Sequence, residues 1–461
     1  MTLTQAEFQK KIKDGESIPT ASVCPVCLKR IPAERVFYEE DVYLEKTCPE
    51  HGFFKTIVWR GKPDYPSWFR EKIPNHPRQP STQTQKGCPF DCGLCANHRQ
   101  EPCCVLLEVT RNCDLGCPVC FASSGENRSV DPDMEMVKMW YQRMLDAGGP
   151  YNIQLSGGEP CTRDDLPEII RMGKGMGFSY FQVNTNGLRL STDVEYLKAL
   201  KEAGLNVVYM QFDGTDDEIY RTIRGRAIFQ QKIQCIQNCA DLHIGVVLVP
   251  TIVPGVNDHD LGGIIRFALE RQPVVKGIHF QPVTYFGRYP KAPANEDRIT
   301  IPELLTNMEA QTGGLVHRDD FHPKGSENSY CSFTGNYIIQ PDGALKLIHD
   351  KEESCGCRKP DDAKASVKRT REFVVRHWTY HEPPKTVSSS GIALGGWDEL
   401  LDHLQSHFFS ISGMAFQDAW NLDLELLQDC CINIASPDGN LVPFCAYNLT
   451  DTEGRAVYRP Q

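Results

Sequence analysis

The chain has 461 residues, so two to four domains are expected, because one hydrophobic core rarely serves so long a chain. Its 49 lysines and arginines stand against 60 aspartates and glutamates, and the formal net charge of −11 disfavours nucleic acid as a partner. No apolar run approaches the roughly 20 residues of a transmembrane segment, and the polar N-terminus lacks the pattern of a signal peptide. We therefore expect a cytoplasmic protein.

The 20 cysteines are the strongest compositional signal. Most of them occur in short spacings that are typical of metal ligands, and no export signal accompanies them, which disfavours disulfides. The cysteines therefore predict metal centres in a reducing, anaerobic cell.

The first cysteine motif is a C-x2-C…C-x2-H pattern within residues 1–65. Its candidate ligands are Cys24, Cys27, Cys48 and His51, and the alternating residues between the two halves predict a small hairpin from 36–38 and 42–44. Four nitrogen and sulfur ligands suit a closed tetrahedral site, so we predict a structural zinc-ribbon or rubredoxin-like module. Zinc is favoured over iron because one ligand is a histidine.

The second motif lies in the connector of residues 66–103, where Cys88, Cys92 and Cys95 have C-x3-C-x2-C spacing. No strand precedes it, so we assign it to an auxiliary four-iron cluster, with His98 as a local candidate for the fourth ligand. A zinc site or unligated cysteines are the alternatives. Cys103 is a candidate for a more distant ligand.

The third motif repeats this spacing with Cys113, Cys117 and Cys120, directly after the apolar, β-branched run 105–110. The run predicts a buried parallel strand, so the cysteines lie on the loop at its C-terminal end, where βα proteins carry their chemistry. Soft thiolates suit an iron–sulfur cluster. Three of them leave the fourth iron of a four-iron cluster open for a ligand.

A second predicted strand, residues 151–155, ends in Ser156, Gly157, Gly158, Glu159 and Pro160. Together the two motifs resemble the radical S-adenosylmethionine (SAM) superfamily, whose cluster motif and GGEP motif follow the first two strands of a partial (β/α)6 barrel. The resemblance implies that the open iron chelates the amino and carboxylate groups of SAM. It also implies that Gly157, Gly158 and Glu159 form the strand end that receives the methionine amino group.

Residues 104–290 alternate between helix and strand patterns, which predicts parallel βαβ units. A helix is expected at 134–147, and further strands at 180–183, 207–212, 245–249 and 277–280. Polar residues follow these strands. The resemblance implies that Asn184, Asp213, Arg224 and Gln281 line the SAM site, and that Thr251 and Gln281 lie on the side nearer the substrate. Turn formation and helix capping are the alternative roles for such residues. Cys235 and Cys239 are expected to pack in the core.

The C-terminal region, residues 291–461, contains two Pro-Asp-Gly hairpin patterns, at 336–348 and 432–449. We expect a linker at 388–396 and a short helix within 408–421. The cysteines of this region predict a further auxiliary cluster, and the alternative is packing or free thiols. The favoured ligands are Cys331, Cys357, Cys431 and Cys445.

The predicted fold class is therefore α/β, a partial (β/α)6 TIM-like barrel with an N-terminal zinc-ribbon-like module and a cysteine-rich C-terminal α+β extension. The motifs CPVC…CPEHG, GCPFDCGLC, TRNCDLGCPVCFA and PDGNLVPFCAYN resemble the tetraether synthase and pterin-methylase branch, and most of all the radical SAM (seleno)protein TrsS family. Both terminal modules are expected to cap the barrel mouth and exclude water.

The resemblance implies an enzyme that cleaves SAM reductively at a [4Fe-4S] cluster and functionalises an unactivated C–H carbon, by C–C bond formation or methylation. One or two auxiliary [4Fe-4S] clusters, a small-molecule or lipid-type substrate, a reductant such as ferredoxin or flavodoxin, and a partner methyltransferase are implied as well. Two alternatives remain open, namely sulfur or selenium insertion and an iron–sulfur electron carrier.

Overall fold

A computed structural model describes residues 7, 10–11, 15–77, 79–125, 130–348, 361–382 and 406–459. The strands are β1 Ile18–Val23, β2 Arg30–Tyr38, β3 Asp41–Cys48, β4 Gly52–Trp59, β5 Lys72–Ile73, β6 Cys104–Thr110, β7 Asn152–Gly157, β8 Phe181–Thr185, β9 Val207–Gln211, β10 Gly245–Val249, β11 Thr251–Ile252, β12 Val275–Pro282, β13 Ser332–Ile339, β14 Leu345–Leu347, β15 Asp361–Asp362, β16 Phe408–Met414, β17 Ile432–Ala435 and β18 Leu441–Pro443. The helices are α1 Tyr65–Trp68, α2 Met134–Asp146, α3 Leu166–Gly175, α4 Leu188–Thr192, α5 Val194–Ala203, α6 Asp217–Arg224, α7 Phe229–Asp241, α8 Leu261–Leu269, α9 Ile301–Thr312, α10 Ala363–Trp378, α11 Leu424–Gln428 and α12 Phe444–Tyr447.

The N-terminal module is a four-stranded antiparallel sheet in the order β1-β2-β3-β4. The predicted hairpin is present, with Phe37 opposite Val42 across the β2–β3 turn. Alternate residues of β3 are buried, which is the pattern of a strand with one face toward a core. The expectation of a small ribbon that carries the first cysteine motif is confirmed.

Six parallel strands form the centre of the molecule, in the order β6-β7-β8-β9-β10-β12. Their core is rich in Val, Ile and Leu, as expected for parallel strands that are covered on both faces. Side chains from all six strands line one cavity, which shows that the sheet curves around it. They include Leu106, Gln154, Gln182, Tyr209, Val249 and His279. The predicted partial (β/α)6 barrel is thus confirmed.

The C-terminal region adds strands to both edges of this barrel sheet. Strand β16 pairs in parallel with β12, and β17 pairs in parallel with β6. Strands β13, β14 and β18 continue the sheet outward in antiparallel pairs, so the sheet has twelve strands within the described residues. The domain boundary at residue 290 stays a prediction, although strands that precede and follow it in sequence belong to one sheet.

The expectation of a helix within 408–421 is wrong. Residues Phe408–Met414 form β16, and all seven are buried between β12 and β13. A fully buried apolar run does not reveal its period, which is why strand and helix are hard to distinguish here. The helix of this region is α11, Leu424–Gln428, and both predicted hairpins are present.

Helix α10, which no sequence motif indicated, closes the N-terminal end of the barrel. Asp362 caps it by accepting a hydrogen bond from the Ala365 N–H at 2.8 Å. Val374 and Trp378 pack against residues of β9 and β10, including Tyr209, and against Tyr180 just before β8. A Cβ on Gly245 would lie 2.2 Å from the Trp378 carbonyl oxygen, so only glycine permits this approach.

Two further expectations concern residues outside the barrel interior. Cys235 and Cys239 are fully buried in the main core on α7, as predicted. The expected linker at 388–396 lies outside the described residues. Among the described helices, none is both long and apolar enough to cross a membrane.

A buried ion pair joins the N-terminal ribbon to the C-terminal region. The Arg35 guanidinium donates to Asp423 at 2.6 Å through Nε and to Glu425 at 2.7 Å through Nη2. The side chains of Arg35 and Asp423 are each only 5% exposed. Loss of one partner would therefore leave an uncompensated charge in the interface.

We predict that Arg35→Met lowers the free energy of unfolding by about 3–5 kcal/mol, because the Asp423 carboxylate stays buried without its partner. Urea unfolding followed by tryptophan fluorescence measures the change. The matched control is Arg221→Met, which removes an exposed pair with Glu218 and should cost less than about 1 kcal/mol. Equal effects of the two variants would contradict a structural role for the buried pair.

Candidate active site

The third cysteine motif and the GGEP segment are joined through their backbones. The Gly158 N–H donates to the Thr110 carbonyl and the Glu159 N–H to the Asn112 carbonyl, both at 2.8 Å. A Cβ on Gly157 would lie 2.0 Å from the Thr110 oxygen, and one on Gly158 would lie 2.2 Å from the Asn112 oxygen. Gly157 also has a φ of +123°. Glycine is therefore required at both positions for the two loops to touch.

The Glu159 side chain extends this link to the end of β8. Its carboxylate accepts hydrogen bonds from Thr185 Oγ1 at 2.7 Å, the Asn186 N–H at 2.6 Å and the Cys161 N–H at 3.0 Å. Burial raises the pKa of Glu159, although these three hydrogen bonds oppose the rise. The carboxylate thus positions the backbone between the GGEP segment and the end of β8.

Arg288, just beyond β12, fastens the cysteine loop from the opposite side. Its backbone exchanges two hydrogen bonds with Cys120, at 2.9 and 3.0 Å. Its guanidinium donates to the carbonyls of Cys117 and Ser124, both at 3.0 Å. Arg288 was not predicted as a site residue, since a lone arginine six residues past a strand carries no motif.

The three cysteine side chains of this loop pack with Leu115, Tyr220 and Ile228. Burial raises the pKa of Cys113 to about 12, so its thiolate requires a nearby positive charge to form at neutral pH. Iron supplies such a charge, and the chemistry of three convergent thiols fits an iron–sulfur cluster.

Arg224 and Asp213, both predicted near SAM, form a bidentate ion pair. The Arg224 Nε and Nη2 donate to the two Asp213 oxygens at 2.7 Å each. Asp213 is completely buried and does not appear in the cavity wall, whereas Arg224 lines the cavity and also interacts with the Cys117 side chain. The structure therefore gives Asp213 a role in orienting Arg224 and keeps it away from the cavity.

One cavity of about 460 Å³ runs through the barrel and collects most of the predicted residues. Its wall also includes C-terminal residues such as Phe416 and Phe444, as expected for a C-terminal cap, whereas no ribbon residue contributes to it within the described chain. The predicted site residues that line it are Cys113, Cys117, Cys120, Gly157, Gly158, Glu159, Asn184, Arg224, Thr251 and Gln281.

The first cysteine motif forms a compact metal site away from this cavity. The ligand atoms of Cys24, Cys27, Cys48 and His51 all lie within 4.8 Å of one another. His51 Nδ1 is 3.6 Å from the Cys24 sulfur and 3.5 Å from the Cys48 sulfur, and the Cys27 and Cys48 sulfurs are 4.0 Å apart. Tetrahedral zinc with Zn–S bonds of about 2.3 Å separates two sulfurs by roughly 3.8 Å. The four side chains therefore fit zinc.

The auxiliary motif is buried against the C-terminal region. Cys88, Cys92 and Cys95 are each less than a tenth exposed, and contact between the Cys88 and Cys92 thiols contributes most to raising the pKa of Cys88 to about 11. The Cys92 N–H donates to the Tyr458 hydroxyl at 2.8 Å. His98 is engaged elsewhere, because its Nε2 donates to the Cys430 carbonyl at 2.9 Å and burial lowers its pKa to about 4.

The C-terminal cysteines lie in two groups whose members differ from the predicted set of ligands. Burial raises the pKa of the Cys331 thiol, and the nearby thiols of Cys445 and Cys430 raise it further. The Cys431 sulfur instead lies 2.9 Å from that of Cys103, because successive residues of an extended chain point to opposite faces. The structure thus brings Cys430, which was not predicted, near Cys331 and Cys445. Cys357 lies outside the described residues, and the auxiliary cluster stays a prediction.

The chain is similar to two family models. Residues 107–268 match the radical SAM superfamily, and residues 18–60 match the HMPTM N-terminal zinc ribbon domain. A 7,8-dihydro-6-hydroxymethylpterin dimethyltransferase from Methanocaldococcus jannaschii is 36% identical over 93% of this chain and 93% of its own length. A probable GTP 3′,8-cyclase from Archaeoglobus fulgidus is 26% identical over 52% of this chain and 84% of its own. The crystal structure of Streptococcus suis SuiB superposes with a TM-score of 0.38 at 13% identity, covering 47% of each chain.

We predict that Gly158→Ala lowers 5′-deoxyadenosine formation by about 100-fold, because the added Cβ forces the GGEP segment away from the cysteine loop. Liquid chromatography after anaerobic reduction with dithionite measures the product. Gly175→Ala is the matched control, since a Cβ on this helical glycine meets no atom within 4 Å. A Gly158→Ala enzyme as active as the Gly175→Ala enzyme would contradict the close-contact argument.

We also predict that Cys27→Ser removes zinc and unfolds the ribbon, because three ligands hold the metal poorly and so small a sheet depends on it. Elemental analysis gives the zinc and iron contents, and circular dichroism reports the loss of strand. The iron content should not change. Cys239→Ala, at a buried cysteine of α7, serves as the control and should retain zinc.

Proposed function

Because the chain belongs to the radical SAM superfamily and, within it, to the family of the 7,8-dihydro-6-hydroxymethylpterin dimethyltransferase, we propose that it methylates carbon atoms of a pterin. The observation that carries the proposal is the extent of the similarity. It covers 93% of both chains, so it includes the ribbon, the barrel and the C-terminal region together. A barrel shared with many chemistries would support only the superfamily.

The relative's activity also bears on the two alternatives. A dimethyltransferase transfers methyl groups, which favours methylation over sulfur or selenium insertion and over electron transfer alone. A carrier would need neither the GGEP contact nor a cavity of about 460 Å³ beside the cysteine loop.

We propose that Cys113, Cys117 and Cys120 hold the cluster that binds SAM. When bound, that cluster supplies the electron that cleaves SAM into methionine and a 5′-deoxyadenosyl radical, which removes hydrogen from the substrate. Gly157 and Gly158 offer an open strand end on which the methionine part of SAM can lie.

The other proposed SAM residues act by charge and hydrogen bonding. Arg224 presents a fixed positive charge to the cavity, since Asp213 holds its guanidinium at two points. The same charge beside Cys117 favours addition of an electron to an anionic cluster. Asn184 and Gln281 add amide groups from β8 and β12. In this proposal Asp213 acts only through Arg224.

The remaining assignments complete the proposal. Cys88, Cys92 and Cys95 hold one auxiliary cluster, and Cys331, Cys430 and Cys445 are candidates for a second. The four domains are residues 1–65, 66–103, 104–290 and 291–461. We further propose that the enzyme works in the cytoplasm, where thiolate ligands stay reduced, with ferredoxin or flavodoxin as reductant and a methyltransferase as partner.

The test is an anaerobic assay of the reconstituted enzyme with dithionite, SAM deuterated in its methyl group, and 7,8-dihydro-6-hydroxymethylpterin. We expect 5′-deoxyadenosine and a methylated pterin, and mass spectrometry shows whether the methyl group comes from SAM. If SAM is cleaved but the pterin is recovered unchanged, the proposed substrate is wrong.

The same assay tests the cluster assignment with the Cys113/Cys117/Cys120→Ala triple variant. It should lose the iron of one four-iron cluster, retain zinc and form no 5′-deoxyadenosine. Cys235→Ala, at a fully buried cysteine outside the cavity, should keep its iron and its activity. A triple variant that still cleaves SAM would assign the SAM cluster to Cys88, Cys92 and Cys95 instead.

A further inference from the structure

The inward-facing side chains of the barrel form two layers. On four strands an upper residue near the mouth has a lower partner two positions earlier in the chain, on the same face of the strand. Two residues span about 7 Å along a strand. The upper layer contains Ser156, Asn184, Gln211 and Gln281, and the lower layer contains Gln154, Gln182, Tyr209 and His279.

The lower layer, Glu327 and Trp378 together enclose the deep end of the cavity, which we call the lower chamber. Helix α10 is its floor, through Trp378 and the neighbouring Arg371 and Val374. The chamber therefore begins one layer beneath the proposed SAM site and is closed at its far end.

Several polar groups of the lower chamber have no hydrogen-bond partner among the described residues. Gln182 Oε1 accepts from the Tyr180 hydroxyl at 3.2 Å, but the Gln182 amide N–H groups, which face the cavity, have no acceptor within the described residues. The Tyr209 side chain also lines the cavity, and its hydroxyl has no hydrogen bond to the described part of the chain. His279 uses only Nδ1, which lies 2.9 Å from Ser412 Oγ, and burial lowers its pKa well below the ordinary value, so the ring is neutral.

Glu327 and Trp378 add two more unsatisfied groups in the described chain. Glu327 is 4% exposed; its Oε2 accepts from the Ser326 hydroxyl and from the Cys431 thiol, whereas its Oε1 has no partner among the described residues. The Trp378 indole N–H is also unpaired. Buried polar groups are nearly always hydrogen-bonded, so this concentration of free donors and acceptors indicates a polar ligand.

Glu327 is distinctive among the residues that line the cavity. The other glutamate of the described lining, Glu159, has its carboxylate occupied by three hydrogen bonds. A carboxylate pairs best with two adjacent N–H donors. The 2-amino-4-oxopyrimidine ring of a pterin presents such an edge, with its exocyclic amine beside a ring N–H.

The aromatic residues suit the same ligand. The Tyr209 and Trp378 rings stack at 5.8 Å with an interplanar angle of 28°, and His279 lies 5.8 Å from Tyr209. They form a wall against which a flat heteroaromatic ring can pack. A lipid chain would leave the amides, the carboxylate and the hydroxyl unpaired, at a cost of about 1–3 kcal/mol for each group.

We propose that the lower chamber binds the pterin ring, with Glu327 receiving its 2-amino edge and thereby selecting pterins over pteridines that lack this amine. This inference rests on the proposed function, since it takes the pterin as substrate. The ring's opposite edge then points up the barrel toward the SAM layer about 7 Å away.

The experiment compares two fluorescent probes on the anaerobically reconstituted full-length enzyme. The probes are 6-hydroxymethylpterin and 6-hydroxymethyllumazine, which differ only in that lumazine carries an oxo group where pterin carries the amine. Fluorescence titration gives both dissociation constants. We expect the wild type to prefer the pterin by about tenfold or more, since a charged hydrogen-bonded pair is lost with lumazine.

Glu327→Gln should weaken pterin binding by about tenfold and leave lumazine binding within about twofold, so the preference between probes falls toward one. Glu372→Gln makes the same chemical change on the exposed face of α10 and should alter neither constant. Iron and zinc contents check that each variant is intact. If Glu327→Gln does not fold, Tyr209→Phe replaces it and should weaken pterin binding by about threefold or more.

The outcomes separate the two proposals. A wild type that binds pterin without preference over lumazine, or a Glu327→Gln variant with unchanged pterin affinity, overturns the role of Glu327 and leaves the methylation of pterins standing. A wild type that binds neither probe and methylates no pterin overturns the proposed function, and the lower-chamber proposal falls with it.

Discussion

The contact between the cysteine loop and the GGEP segment is the constraint on which the site depends. Two backbone hydrogen bonds of 2.8 Å hold the loops together, and the absence of Cβ atoms at Gly157 and Gly158 permits them. Glu159 connects the GGEP segment to the residues that follow β8, and Arg288, beyond the end of β12, is hydrogen-bonded to the cysteine loop. The ends of four strands are thereby fixed around one loop. A cluster on that loop would then have a set position relative to the residues that hold its ligand.

Local pattern was sufficient to predict much of this arrangement. The run before Cys113 is nearly continuous in apolar residues, and β6 covers Cys104–Thr110 as expected. The spacing of Cys24, Cys27, Cys48 and His51 was enough to predict the ribbon, because two closely spaced pairs of metal ligands form a specific sequence pattern. Such features are short in sequence, so no long-range pairing has to be known in order to find them.

Long-range pairing was what the sequence could not provide. Strand β17 joins β6 although more than 300 residues separate them, and β16 was mistaken for a helix because both of its faces are buried. The different surroundings of Cys430 and Cys431 could not be predicted for a related reason. These neighbours point to opposite sides, and only the register of β17 beside β6 decides which side meets Cys103. A strand-end carboxylate can face the cavity or hold an arginine behind it, and only the fold shows that Asp213 pairs with Arg224.

The interior of this barrel departs from the usual packed core, and the departure has an energetic consequence. Barrel interiors are ordinarily filled by branched apolar side chains, whereas here amides, a tyrosine and a histidine occupy the lower layer. Unpaired polar groups destabilise a folded chain, so such a layer persists only when other contacts offset it. The added strands β16 and β17, the floor helix α10 and buried pairs such as Arg298 with Asp418 supply those contacts. The C-terminal region therefore stabilises a barrel whose interior is left polar for its ligands.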